Sequence, residues 1–189
     1  MQQVKQEIRN VRGEVIFETL VNKVDSDEVL YRRAVQCALL MRADLRLADF
    51  EGRDLRGVDF SHTDLTGASF KGANVACANF EGCILDGAVF DGADMQLAVL
   101  KEVWGDEASF VGAKMLNANL SGTKLENADF TGASLRYADL RDAKFKGAKM
   151  KDATLRLAIV QGTKFEDVDI DASELVVALG LMKPVSERV

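Results

Sequence analysis

The chain has 189 residues, 48% of them apolar and 29% charged, enough for one ordinary domain with small appendages. Its formal net charge of -6 argues against a general nucleic-acid binder, because duplex affinity rests largely on Lys and Arg neutralising phosphates. Cys37, Cys77 and Cys83, at unrelated spacings, supply neither a disulfide framework nor a metal-ligand pattern, and they read as free thiols of a reducing compartment.

The opening MQQVKQEIRNVRGE has no apolar leader, and no later stretch reaches the roughly 18 uncharged residues that span a bilayer. The expectation is a cytoplasmic protein without a membrane partner. Residues 4–21 read as two short strands joined by a turn at Asn10 to Gly13. Residues 27–40 follow as a helix, with Asp25 or Ser26 as N-cap and Val29, Leu30, Ala34, Cys37 and Ala38 as its apolar positions.

The next segment has a period of its own. From Leu40 to Leu175 every fifth residue is apolar, except Gly105. The residue two before most centres is small, usually Ala, with Thr63, Cys83 and Thr123 as near-isosteric variants. A period of five fits neither a helix nor a strand, so the chain must turn regularly. Phe50, Phe70, Phe90, Phe110 and Phe130 recur every 20 residues, each followed two positions later by Gly52, Gly72, Gly92, Gly112 and Gly132. Four pentapeptides therefore make one coil. Coils stacked at about 4.8 Å would place those rings in one core column, and about seven coils would span about 34 Å.

Strings such as ADLRLADFEGRDLRGVDF, ADFTGASLRYADL and ANVACANFEGC resemble the A(D/N)LXX signature of the pentapeptide-repeat family. The resemblance implies an all-β solenoid, a right-handed quadrilateral β-helix. It further implies partners of a certain kind, because several family members protect DNA gyrase from quinolone-type poisons by imitating duplex DNA. The expected organisation is a hairpin and capping helix over 1–37, the β-helix over 38–172, and a C-terminal helix and tail over 173–189. The last helix is expected from Ser173 to Gly180, ended before Pro184. It would cap the last coil or join two subunits, and the resemblance favours a homodimer through it.

The residues offer no route to catalysis. His62, the single histidine, replaces the usual corner glycine, and the carboxylates sit at generic exposed positions where Asp and Asn serve turns. No glycine loop stands at a strand-to-helix junction, and no cofactor or metal is expected. The candidate partner-binding residues, Asp44, Asp64, Trp104, Lys124, Lys144 and Lys164, lie on one face sorted in steps of 20, with Ile84 between Asp64 and Trp104. That face changes sign along the axis, and Glu126 and Glu166 are placed to pair with the lysines. Residues 38–135 hold 15 acids against 8 bases and residues 136–172 hold 7 against 8, so the acidity lies N-terminally.

For Trp104, beside the missing core residue Gly105, two placements compete. Either Trp104 or Val103 leans inward to fill the gap, or Trp104 is exposed as a binding anchor. The functional expectation is a non-catalytic protein–protein interaction module, with DNA gyrase or another topoisomerase as the partner implied by the resemblance. The alternative is a structural spacer or assembly protein that recognises its partner through the N-terminal cap.

Overall fold

The structure, a computed structural model, describes residues 3–23, 26–171, 173, 174 and 178. Strands β1 (Gln3–Arg9) and β2 (Val15–Asn22) pair antiparallel, and helix α1 (Asp27–Leu40) packs against both. The turn falls where expected, because the Asn10 side chain accepts the N–H groups of Arg12 and Glu14 at 3.0 Å each. Helix α1 starts after Ser26, whose side chain makes no cap bond. Its buried face differs from the expected one. Tyr31 and Val35 join Leu30, Ala34 and Ala38, while Val29 and Cys37 are only half-buried.

The hairpin closes the open end of the solenoid. Val11 N–H donates to the Leu47 carbonyl at 2.8 Å and Asp49 N–H to the Arg9 carbonyl at 2.7 Å, so Asn10 bridges Ala48 antiparallel. The first coil's backbone edge is thereby paired on this face and not left there as a template for aggregation. Helix α1 is pinned to the same coil by Arg32, whose guanidinium lies 3.1 Å from Asp54. The helix runs through Leu40, which is 85% exposed and is not a repeat centre. The first core centre is Leu45, so the coils number about six and a half, not seven, at four centres per coil from Leu45 to Ile170.

From Asp49 onward every parallel bridge joins residues 20 apart, Asp49 to Ser69 through Lys149 to Asp169, without a slip. Each face contributes two inter-coil bonds. Phe50 N–H donates forward to the Ser69 carbonyl at 2.7 Å, and Ser69 N–H donates back to the Ala48 carbonyl at 2.8 Å. At the corners from Leu45 to Val160, the third residue past the centre donates to the centre's carbonyl, as Arg53 does to Phe50 at 3.1 Å. The second residue past the centre has positive φ, which makes each corner a type II turn. Glycine holds twelve of these positions and residues with a Cβ hold thirteen, so glycine is only half of the corner chemistry.

The interior is filled by two side chains per face. Centres from Leu45 to Leu155 and most of the small residues two before them are almost wholly buried, Ala43 and Thr63 being half-buried. The expected phenylalanine column is present, with ring centroids 4.9 Å apart from Phe50 to Phe70, 4.7 Å from Phe70 to Phe90, 5.2 Å to Phe110 and 4.7 Å to Phe130. A second stack, Phe60 on Phe80, meets it edge-on from the opposite face, with Phe70 and Phe80 at 90° and 5.5 Å. Edge-to-face contact complements the ring quadrupoles across the tube. Cys83 and Thr163 in the small-residue column donate to the Phe60 and Leu140 carbonyls, which explains why polar atoms are tolerated there.

The last coil is less enclosed, with Val160, Phe165, Val168 and Ile170 partly buried and Ala178 packed on the cluster. Glu174 accepts the Leu155 N–H at 2.9 Å, replacing the carbonyl a further coil would supply. Ser173, Glu174 and Ala178 are helical. The rest of the expected C-terminal helix, and its role in a homodimer, lie outside the described residues.

Candidate docking face

Trp104 is 57% exposed, and its neighbour Val103 is buried at the position usually held by Ala. The gap at Gly105 is closed from above and below. A Cβ there would stand 3.0 Å from Leu125 Cδ2 and 3.3 Å from Leu85 Cβ. Of the competing placements, Val103 turns inward and Trp104 outward. Ile84, Trp104 and Lys124 stay in bridge register, so the backbone has no bulge.

The face is continuous by bridges from Asp64 through Ile84, Trp104, Lys124 and Lys144 to Lys164. Asp44 lies in the first coil before the bridged register begins. Its carboxylate is held by Arg46, with Nη2 at 2.6 Å and Nε at 2.9 Å, and the Arg46 side chain draws its pKa down to about 2. Asp64 turns inward on its own corner, accepting the Thr66 hydroxyl at 2.6 Å and the Thr66 N–H at 3.0 Å. The acidic end of the face is thus internally engaged.

The basic end holds no such carboxylate contact. Lys124 Nζ sits 3.8 Å from the Trp104 ring centroid, a cation–π contact. The expected pairing with Glu126 and Glu166 does not form. Among the described residues no carboxylate lies within ion-pair distance of Lys124, Lys144 or Lys164.

The acids that neighbour this face were not picked out by the repeat. Where an Asp or Asn precedes the centre, its side chain accepts the N–H two residues on, as Asp59 does from Ser61 and Asn119 from Ser121. Trp104 and Lys124 cannot accept. The Asp106 N–H therefore turns to Asp86 of the preceding coil at 3.0 Å, and the Glu126 N–H to Asp106 at 3.3 Å. Asp86, Asp106 and Glu126 form a carboxylate column beside the aromatic and lysine face. The signal available in the sequence was the coincidence of a non-acceptor before the centre with Asp one coil earlier.

His62 is exposed with φ of 57° beside Ser61, Thr63 and Asp64 near the end of α1. Burial pushes the Cys83 thiol up to about 12, and its Sγ–H points to a carbonyl. Among the described residues there is no group of His, Cys, Asp and Glu placed to hold a metal, and no helix is long and apolar enough to cross a membrane.

The family model described as Pentapeptide repeats matches residues 43–76, 64–101, 113–152 and 133–171. Among solved structures, the chain is similar to HetL, a pentapeptide repeat protein involved in heterocyst differentiation regulation from the cyanobacterium Nostoc sp. strain PCC 7120. Identity is 30% over 67% of this chain, with a TM-score of 0.41, and the match spans only 65% of HetL. A pentapeptide repeat protein of the Arabidopsis thaliana thylakoid lumen is 27% identical over 73% of this chain and 82% of its own, with a TM-score of 0.51. QnrB1, a plasmid-mediated fluoroquinolone resistance protein, is 16% identical over 70% of this chain and 89% of its own, with a TM-score of 0.33. Comparison with curated protein sequences gives no match.

Proposed function

This chain belongs to the pentapeptide-repeat family, whose fold is a right-handed quadrilateral β-helix, and we propose that it acts as a non-catalytic rod that docks an acidic protein segment. The observation that carries this reading is the unpaired lysine ladder, Lys124, Lys144 and Lys164, extending from an exposed Trp104. Like charges stacked at the coil repeat repel, and solvent and salt only weaken that repulsion. Carboxylates of a partner would relieve it, while Trp104 and Ile84 supply an apolar anchor. Trp104 is the single tryptophan, so its fluorescence reports directly on the face. Titration with poly-glutamate at low salt should change Trp104 emission and lose effect at high salt. No change in the wild-type chain, or an equal change after replacing all three lysines by alanine, defeats the proposal.

A second reading, binding of DNA gyrase or another topoisomerase by imitation of DNA, is favoured by the column Asp86, Asp106 and Glu126 and by the acidic balance of residues 38–135. A supercoiling assay with and without poison distinguishes it, since docking through the lysines predicts no protection. The spacer alternative, with recognition by the cap, requires contacts on the outer hairpin, where Leu20 is 60% exposed. Leu20→Glu should leave poly-glutamate binding intact.

A further inference from the structure

Of the four corner columns, one is glycine along five coils, from Gly52 to Gly132. The adjacent corner instead runs Gly57, Cys77, Leu97, Asn117, Tyr137 and Leu157. Leu97, Tyr137 and Leu157 have φ of 60°, 59° and 61° and are 56%, 45% and 52% exposed. A leucine or tyrosine there is disfavoured twice, by its Cβ in the left-handed region and by apolar surface left in water. Glycine would remove both penalties, as it does one corner away. Residues with a Cβ are common at the corners of this solenoid, but large exposed apolar ones repeated along one edge indicate a contact outside the coil.

The column is symmetric about Asn117. Leu97 and Tyr137 lie one coil to either side, and Cys77 and Leu157 two coils, so four coil steps of about 4.8 Å give a ridge of about 19 Å. We infer that two copies of this chain associate antiparallel along this corner, with Asn117 facing Asn117 across a two-fold axis. Leu97 then packs against Tyr137 of the partner subunit, and Cys77 against Leu157 of the partner subunit. A two-fold contact is self-complementary in this way.

Charge selects the antiparallel sense and the second copy as occupant. Residues 38–135 carry 15 acids to 8 bases and residues 136–172 carry 7 to 8, so reversal lays each acidic half toward the less acidic end of the other. In the neighbouring column the same reversal brings Arg136 level with Gln96 and Asp94 of the partner subunit. A parallel pair would set acidic half against acidic half. The ridge does not border the lysine face, which stays open in the dimer.

Sedimentation of the full chain over micromolar to near-millimolar concentrations should show a monomer–dimer equilibrium. Leu97→Asn combined with Leu157→Asn should weaken it at least about tenfold. Because Asn adopts the left-handed region readily, that variant should keep its circular dichroism and melt no earlier than the wild-type monomer. In a Cys37→Ser, Cys77→Ser background, Asn117→Cys should form a disulfide-linked dimer on mild oxidation. The wild-type chain should not cross-link through Cys77 to itself, whereas Leu157→Cys should cross-link to Cys77. A chain that stays monomeric throughout overturns the inference. So does a dimer indifferent to the Asn pair, a Cys77 to Cys77 cross-link, or a monomer that instead binds anionic lipid vesicles through the ridge.

Discussion

Lys124 Nζ stands 3.8 Å from the Trp104 ring centroid, one coil removed in strict bridge register. The contact exists because the coil repeat is close to the optimal distance between a cation and an aromatic face. At an exposed site it contributes about 0.5–1 kcal/mol. A double-mutant cycle with Trp104→Leu and Lys124→Ala, read by thermal unfolding, should return a coupling energy in that range. A coupling indistinguishable from zero means that the lysine is free in solution.

Phe90 is sandwiched between Phe70 at 4.7 Å and Phe110 at 5.2 Å and meets Phe80 edge-on. Its removal leaves a cavity that its neighbours cannot collapse into, because each is held by its own coil's hydrogen bonds. Phe90→Ala should lower stability by about 3–5 kcal/mol in denaturant titration.

Gly105 marks a gap already closed by Leu85 and Leu125, so restoring the repeat does not restore packing. Gly105→Leu should overpack the coil and cost about 1–3 kcal/mol. Gly105→Ala asks both the tip of Leu125 and the Leu85 Cβ to yield by a few tenths of an ångström, and its melting temperature should fall less than that of Gly105→Leu.

Asp59 accepts the Ser61 N–H at 3.0 Å and the Asn79 side-chain N–H at 3.0 Å, and these bonds, the backbone one foremost, hold its carboxyl below the usual range. Asp54 and Asp139 are lowered chiefly by Arg56 and Arg141, and Asp44 by Arg46 to about 2. A depressed folded pKa stabilises above the unfolded value of about 3.9, and that stability is lost as pH falls through the folded value. The melting temperature should therefore drop on acidification below about pH 4. Asp59→Asn keeps the turn acceptor without the titration. It should melt somewhat below the wild type at neutral pH, having lost the charge-assisted part of those bonds, and lose less on acidification.

The repeat register was legible because two side chains in five must point inward, one large and one small, and composition alone marks which. The hairpin turn at Asn10 and the span of α1 were legible for the same local reason: their signals are turn and cap chemistry within a few residues. The face of α1 was read less well. Tyr31 and Val35 are buried by what lies against them, the hairpin and the first coil, and helical spacing does not contain that information. Asp86 and Asp106 went unread because their hydrogen bonds run between coils, to N–H groups that Trp104 and Lys124 leave unserved.

By itself, the sequence determined the coil length, the core columns and the absence of a helical or strand period through the solenoid, since each follows from the spacing of apolar residues. Only the tertiary structure decided that Trp104 faces water, that Arg46 occupies Asp44 while the lysines go without carboxylates, and that Leu40 ends a helix and does not start a coil. Those outcomes depend on which residues become neighbours 20 positions apart and at the cap. There, a side chain's exposure is set by competition for space and hydrogen bonds with the coils above and below it.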